Sequence, residues 1–326
     1  MRPAKATQPA PGATATDAFA ITVREFLTRH PRELPSRFLY DPLGSALFDA
    51  ICRLPWYGLT AAEMRLLGEH GAAITASIGP LGRIVELGSG NGEKAAALVG
   101  ARPSSAALDL HLIDISAAAL TTATQALAGY DHLRVIAHEG NYEADLARLA
   151  RQFQGAGRTL MLFLGSNIGN YDPPAAATLL GSIRQSLLPG DGFLLGADLV
   201  KSERDLQLAY DDPLGVTAAF NRNLLVRINR ELDGDFDLAG FRHRAVWNAP
   251  ESRVEMHLVS LRSQRVRVAR AGLDIALGED EHIWTESSYK YRPDEVAAGL
   301  AAAGFEVRDQ WIDRAAQFSL TLAMVP

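Results

Sequence analysis

The stretch richest in potential chemistry is Arg83-Ile84-Val85-Glu86-Leu87-Gly88-Ser89-Gly90-Asn91-Gly92-Glu93-Lys94. A short apolar run ends in an acid and then breaks into three alternating glycines. The run reads as a buried parallel strand, and Glu93 onward reads as the start of a helix. Glycines at such a turn adopt positive φ and let a small ligand approach the backbone, while the helix start offers unpaired N–H groups. Asp114 closes the next apolar run, 24 residues after Gly90, where a carboxylate can accept hydrogen bonds from a ribose. The same acid could instead cap the helix that starts near Ser116. Asn170 follows the most apolar strand candidate, Thr159 to Leu164, at what would be the carboxyl edge of a sheet. It can orient a polar group there or cap the helix beginning near Pro173. Glu286 and Ser288 stand two apart: on an extended segment they share a side and can converge on one ring, or else they form an exposed strand edge.

The glycine spacing separates two ligand classes. A dinucleotide fingerprint places its third glycine one position later than Gly92. The pattern Glu86-x-Gly88-x-Gly90-x-Gly92 instead resembles the first motif of the Rossmann-like methyltransferases that bind S-adenosylmethionine. A tight turn without a ligand is the remaining reading.

The elements that must position these residues are legible in outline. Residues 1–16, rich in Ala, Pro and Thr, are expected to be a disordered tail, with no continuous apolar region of a signal peptide. Residues 17–77 are helical in pattern, interrupted by two aromatic-rich segments expected to be loops, Phe38 to Gly44 and Leu54 to Thr60. Their aromatics can line a pocket or plug a core. Over residues 78–200 five strands alternate with helices, which predicts a parallel doubly wound sheet. Residues 201–290 depart from this pattern: two helices are followed by period-two runs at Phe241 to Trp247, Arg253 to Leu261 and Gln264 to Ala269, read as antiparallel strands of an inserted lid. In residues 291–326 a helix and a strand pair bring the sheet pattern back.

With 326 residues, 48% hydrophobic and 21% charged, the chain has the composition of a soluble globular protein and room for more than one domain. A formal charge of −6 supplies no basic footprint, which argues against nucleic acid and anionic membrane as partners and leaves small molecules. No apolar run is long enough to span a bilayer. The single cysteine, Cys52, excludes an internal disulfide framework, fits a cytoplasmic location and reads as an ordinary buried thiol. The eight histidines show no paired ligand spacing, so no metal is expected. No protein partner is predicted.

Longer motifs then narrow the reading. They are Phe38-Leu39-Tyr40-Asp41, Leu47-Phe48-Asp49 with Arg53-Leu54-Pro55, Glu86 to Gly90 with Glu93-Lys94, and Phe163-Leu164-Gly165-Ser166 with Ile168-Gly169-Asn170. Ala209-Tyr210-Asp211-Asp212, Gly215 to Asn223, Val254-Glu255-Met256 and Thr285-Glu286-Ser287-Ser288 complete the set. On these the sequence resembles the S-adenosylmethionine-dependent histidine Nα-methyltransferases that open ergothioneine biosynthesis, from about Phe38 to the C-terminus. The resemblance implies an α/β fold: a Rossmann-like class I methyltransferase sheet with a second α+β substrate-binding domain built from the N-terminal region and the insertion. It implies that Gly88, Lys94, Asp114, Asn141 and Tyr142 hold S-adenosylmethionine, with Lys94 on the methionine carboxylate. An Asp-Phe pair is usual in the family where Asn141-Tyr142 stands, and an asparagine oxygen can still accept from the adenine amino group.

For the amino acid, the resemblance implies that Asn170 and Tyr210 hold the α-carboxylate and that Tyr40 and Tyr57 lie near the amine. Glu286 and Ser288 would bond the imidazole and Met256 would pack on it. Tyr57 takes a positioning role, and no residue is assigned as an essential base. Two departures bear on the acceptor. Gly58-Leu59-Thr60 follows Tyr57 where Tyr-Pro-Thr is common, and Ser287 is small and polar where an apolar residue is common. The competing expectations are the same chemistry on another amino acid or amine, and a catalytically inactive cofactor-binding protein. A nicotinamide oxidoreductase is disfavoured by the glycine spacing.

Overall fold

The computed structural model describes residues 14–102, 106–150 and 157–326, so most of the expected tail lies outside the described residues. In chain order come helix α1 (Ala15–Leu27), the two-residue strand β1 (Arg32–Glu33), a 3-10 turn (Ser36–Leu39), and helices α2 (Pro42–Ile51) and α3 (Gly58–Ser77). Strands and helices then alternate as β2 (Leu81–Leu87), α4 (Glu93–Gly100), β3 (Leu108–Asp114), α5 (Ala117–Leu127), β4 (Leu133–Glu139), α6 (Tyr142–Ala150) and β5 (Arg158–Phe163). A 3-10 turn (Asn167–Asn170), α7 (Pro173–Gln185) and β6 (Gly192–Asp198) follow. Helices α8 (Glu203–Tyr210) and α9 (Val216–Leu232) lead into β7 (Phe241–Asn248), β8 (Arg253–Ser260), β9 (Gln264–Val268), β10 (Leu273–Leu277) and β11 (His282–Tyr289). Helix α10 (Pro293–Ala302) and strands β12 (Glu306–Asp313) and β13 (Phe318–Met324) close the chain.

Two compact units partition these elements. One takes in the chain up to Ile51, Glu203–Ala249 and Val254–Ser287; the other takes in Cys52–Ser202, Pro250–Arg253 and Ser288–Pro326.

The second unit is built on a seven-stranded sheet in the order β12-β13-β6-β5-β2-β3-β4. The five strands from β6 to β4 run parallel, and β13 runs antiparallel to both β6 and β12. Parallel strands covered on both faces read as continuous apolar runs, which is why Ile84 to Leu87 and Leu160 to Phe163 are buried without alternation. Strand order reverses between β2 and β5, so the carboxyl ends of these two strands form the topological switch point where open α/β sheets bind ligands. One face packs a core of Leu87, Met161, Phe163, Ile183, Phe193 and Leu300. The five parallel strands and the terminal antiparallel pair are those expected from the sequence.

The first unit carries a four-stranded sheet, β1-β11-β8-β7, a two-stranded ribbon, β10-β9, and the long helix α9. Three expectations are corrected here. The first helix opens at Ala15, inside the expected tail, because Thr14 and Asp17 form a reciprocal capping box. The segment from Phe38 to Gly44 is no open loop. Ser36–Leu39 forms a 3-10 turn, and α2 starts at Pro42 with the Asp41 carboxylate accepting from the Gly44 N–H at 2.7 Å. Gly44 is required there, since a Cβ would lie 1.7 Å from the Leu39 carbonyl oxygen. The second expected loop is shortened because α3 begins at Gly58. Strands β10 and β11 continue the period-two pattern past the runs read as strands.

Asp41 is the polar centre of this unit. Its carboxylate also accepts from Asn223 Nδ2 and from Arg230, each at 2.7 Å, so it ties α2 to two turns of α9. Burial alone would raise this carboxyl, but Arg230 and the Gly44 and Asn223 N–H groups outweigh it and hold the pKa below the ordinary value. Its contribution to stability is therefore present above the unfolded carboxyl pKa and lost as pH falls through the lower folded one. Asp41→Ala is expected to lower unfolding free energy by about 2–3 kcal/mol at pH 7, with the difference shrinking at acid pH. Denaturant unfolding at several pH values checks this; a difference independent of pH would contradict it.

Candidate active site

The glycine turn after β2 is held from the neighbouring strand. Gly88 and Ser89 donate their N–H groups to the Ile113 carbonyl at 2.8 and 3.2 Å, and the Gly90 N–H reaches Asp114 Oδ2 at 2.8 Å. All three glycines have positive φ. A Cβ on Gly88 would stand 2.7 Å from Asn167 Nδ2, and one on Gly92 would stand 2.8 Å from Ala123 Cβ, so neither position accepts a larger residue. Asp114 also accepts from the Ser116 N–H at 2.9 Å, while Ser116 itself caps α5. The acid thus braces the lead into α5 and the glycine turn at once. Burial raises its pKa, and the backbone N–H groups work against that.

Behind the turn lies a buried acid–base cluster. Lys94, in the first turn of α4, pairs with Glu63 of α3 at 2.8 Å, and Glu63 is wholly buried. Both Glu63 oxygens accept from the Gly165 N–H at 2.9 Å, at the end of β5. A cation is disfavoured in the first turn of a helix. Burial would lower the Lys94 pKa further, but the Glu63 charge outweighs it and the pKa stands above the ordinary lysine value. Glu86, last but one in β2, is raised to about 8, chiefly by burial and in part against the Lys94 charge, so it is protonated at neutral pH. Its Oε2 and the Ser89 hydroxyl are buried without a hydrogen-bond partner. Glu63 escaped the sequence reading because a single glutamate on a helix looks like surface. The signal was Gly196 inside an otherwise apolar strand: a Cβ there would fall 2.0 Å from Glu63 Oε1.

Tyr142 packs beside the same turn. Its ring stands edge-on to Phe163, its hydroxyl lies 3.0 Å from that of Tyr171, and a Cβ on Gly88 would lie 3.7 Å from its Cε1. Asn141 immediately precedes α6 and is exposed. Asn170 ends the 3-10 turn that follows β5 and is also exposed, while Asp172, two residues on, caps α7. That turn abuts Ser288: a Cβ on Gly169 would lie 3.4 Å from Ser288 Oγ. Tyr57 is buried at the start of α3.

The remaining predicted residues belong to the first unit. The Tyr40 ring meets Phe48 and Phe220 edge-on, both at 5.5 Å, in a small aromatic cluster. Tyr210 ends α8, and its carbonyl lies 2.8 Å from His243 Nε2, while Asn221 Nδ2 lies 2.9 Å from His243 Nδ1. With Asn221 donating to Nδ1, Nε2 carries the hydrogen that Tyr210 accepts, and burial keeps this imidazole neutral. Met256 is buried in β8, its carbonyl accepting from Thr285 Oγ1 at 3.0 Å. Glu286 is half-buried on β11, which lies between β1 and β8 and is not an edge strand.

A switch-point turn of three glycines with a following acid, on a parallel sheet closed by an antiparallel strand, defines a Rossmann-like methyltransferase. The glycine cradle, the two unpartnered buried oxygens and the Asp114 carboxylate fit S-adenosylmethionine. The model of the family of histidine-specific, S-adenosylmethionine-dependent methyltransferases matches residues 19–325, and the chain belongs to this family. It is 42% identical to the histidine N-alpha-methyltransferase of Mycolicibacterium smegmatis, over 95% of this chain and 96% of that protein. Identity to the histidine N-alpha-methyltransferase of Mycobacterium tuberculosis is 43%, over 91% of this chain and 92% of that protein. The ergothioneine biosynthesis protein 1 of Neurospora crassa is 28% identical over 78% of this chain and 31% of its own length. Among the described residues no cluster of metal-ligating side chains occurs, and no helix is long and apolar enough to cross a membrane.

Two predictions follow from the buried cluster. Glu63→Ala strips Lys94 of its counter-charge and Gly165 of its acceptor, so S-adenosylhomocysteine should bind at least about tenfold more weakly by calorimetry; unchanged affinity would refute the role given to Glu63. Glu86 is protonated in the folded chain over a range where it is ionised in the unfolded one. Its effect on stability is lost as pH rises from the ordinary glutamate range, about 4.3, through about 8. Glu86→Gln should therefore gain stability relative to the parent across that window and level off above it, as followed by urea unfolding. A gain that does not grow with pH would contradict this.

Proposed function

We propose that this chain transfers methyl groups from S-adenosylmethionine to the α-amine of L-histidine, giving Nα,Nα,Nα-trimethylhistidine for ergothioneine biosynthesis in the cytoplasm. The observation that carries the reading is a family match over nearly the whole chain, with every residue that the resemblance assigns to the amino acid present. The cofactor supplies an activated methyl group on a sulfonium sulfur. Gly88 and its neighbours receive it at the switch point, Lys94 answers its carboxylate, Asp114 its ribose, and Asn141 with Tyr142 its adenine.

In this reading Asn170 and Tyr210 hold the histidine α-carboxylate, Tyr40 and Tyr57 position the amine, Met256 packs on the ring, and Glu286 with Ser288 bond its nitrogens. The neutral amine nitrogen attacks the methyl carbon in line and the carbon–sulfur bond breaks with its electron pair going to sulfur; after each of the first two transfers a proton leaves the nitrogen to solvent, and the third gives a quaternary ammonium with no proton to lose. A cationic sulfonium nearby and removal from water both favour the neutral amine, so alignment carries most of the rate. Holding the two reactants in attack geometry can supply on the order of 7–11 kcal/mol. The His243–Asn221 pair fixes the backbone of Tyr210 and so supports its placement.

Incubation of the protein with histidine and S-adenosylmethionine should release S-adenosylhomocysteine and yield a product carrying three added methyl groups by mass spectrometry. Glu286→Ala should raise the histidine KM more than tenfold, on the scale of a charge-assisted hydrogen bond of about 1.5–3 kcal/mol. Absence of turnover on histidine, with turnover on another amine in the same screen, would overturn the assignment.

A further inference from the structure

Asn170 is exposed, yet the backbone on either side of it is fixed. Before it, the Gly169 N–H donates to the Ser166 carbonyl at 2.8 Å, and a Cβ on Gly169 would stand 2.8 Å from the Tyr289 carbonyl oxygen. After it, the Tyr171 N–H donates at 3.3 Å to the Ile168 carbonyl, which also accepts from the Tyr291 hydroxyl at 3.1 Å, and Asp172 then caps α7. The conformation of this turn decides where the Asn170 amide is offered.

The same turn is joined to the start of α6. Tyr142 opens that helix directly after Asn141. Its ring stands edge-on to Phe163 with centroids 5.6 Å apart, and Phe163 meets the Tyr171 ring in turn at 6.5 Å. Flanking one phenylalanine, the two phenols bring their hydroxyls to 3.0 Å. The Tyr142 ring also borders the glycine turn, its Cε1 lying 3.7 Å from where a Cβ on Gly88 would stand. One ring thus touches the switch point and, through its hydroxyl, the turn that presents Asn170.

A bond between two neutral hydroxyls contributes little net stability. A phenylalanine at either place would keep the ring contacts and lose the bond, and phenylalanine is usual in the family where Tyr142 stands. A link between two ligand sites has a different consequence: what the first ligand orders, the second need not order again. We propose that the Tyr142–Tyr171 hydroxyl pair is a positioning link through which the cofactor and the amino acid strengthen each other's binding. The inference rests on the reading above, in which Asn141 with Tyr142 receives the adenine and Asn170 holds the α-carboxylate. Cofactor packed against Gly88 and Tyr142 fixes the Tyr142 ring, the bonded Tyr171 phenol is fixed with it, and the Asn170 amide is presented in one position. Tyr171 acts through Tyr142 and the turn, not by contact with either ligand. Coupling between two sites is reciprocal, so histidine strengthens cofactor binding by the same factor.

Calorimetry on the full chain measures this as the ratio of the S-adenosylhomocysteine dissociation constants without and with saturating histidine. In the parent the ratio should be at least about five. Tyr171→Phe should lower it about fivefold, the scale of one hydrogen bond, while affinity for S-adenosylhomocysteine alone changes less than about twofold. Tyr142→Phe should lower the ratio as much, and the two substitutions combined no further than either one, since both remove the same bond. A merely structural role would weaken binding equally with and without histidine and leave the ratio unmoved. A ratio unmoved by Tyr171→Phe, a ratio near one in the parent, or losses that multiply in the combined variant would overturn the proposal. If Tyr171→Phe fails to bind S-adenosylhomocysteine and has therefore lost its fold, Tyr142→Phe decides alone: an unmoved ratio overturns the link. A parent chain that neither binds nor methylates histidine would instead defeat the underlying reading, and the link with it.

Discussion

The second unit depends on one ion pair, the half-buried Lys94 with the wholly buried Glu63. A lysine in the first turn of α4 faces an unfavourable helix dipole and loses hydration, and only a counter-charge delivered from another element makes it tolerable. Helix α3 delivers it. The Glu63 carboxylate in turn needs a gap in β6, supplied by Gly196, and a donor, supplied by the Gly165 N–H at the end of β5. The pair therefore locks together α3, the β2–α4 turn, and the carboxyl ends of β5 and β6. These elements surround the switch point, where the topology already places a ligand. A single charged contact thus sets the shape of the place where a cofactor is received.

Much of this was legible in the sequence because strong local signals agree. The five parallel strands are continuous apolar runs ending in turn residues, the glycine spacing is distinctive, and Asp114 stands where the β3 register puts it beside the turn. Helices α5 and α9 fall where periodicity placed them. What escaped notice depends on partners far away in sequence. The helix at Pro42 hid behind aromatic residues, although Asp41-Pro42 is itself a helix-start signal. Its cap serves also as a buried anchor for α9, which no local pattern reveals. Glu63 looks like an ordinary charge on a helix. Only its burial and pairing give it a role.

The two predicted imidazole ligands illustrate the same division. Their spacing put Glu286 and Ser288 on one side of an extended segment, and the segment is strand β11, an inner strand of its sheet. Spacing cannot say which of the two donates.

The most direct measurement of the central claim is a nitrogen-15 titration of the Lys94 side chain by NMR. If Glu63 holds this lysine as a permanent cation behind the glycine turn, its ammonium signal will persist above the ordinary lysine value of 10.5. Loss of the proton below that value would mean that burial, and not the buried carboxylate, governs Lys94, and the account of the switch point would fail.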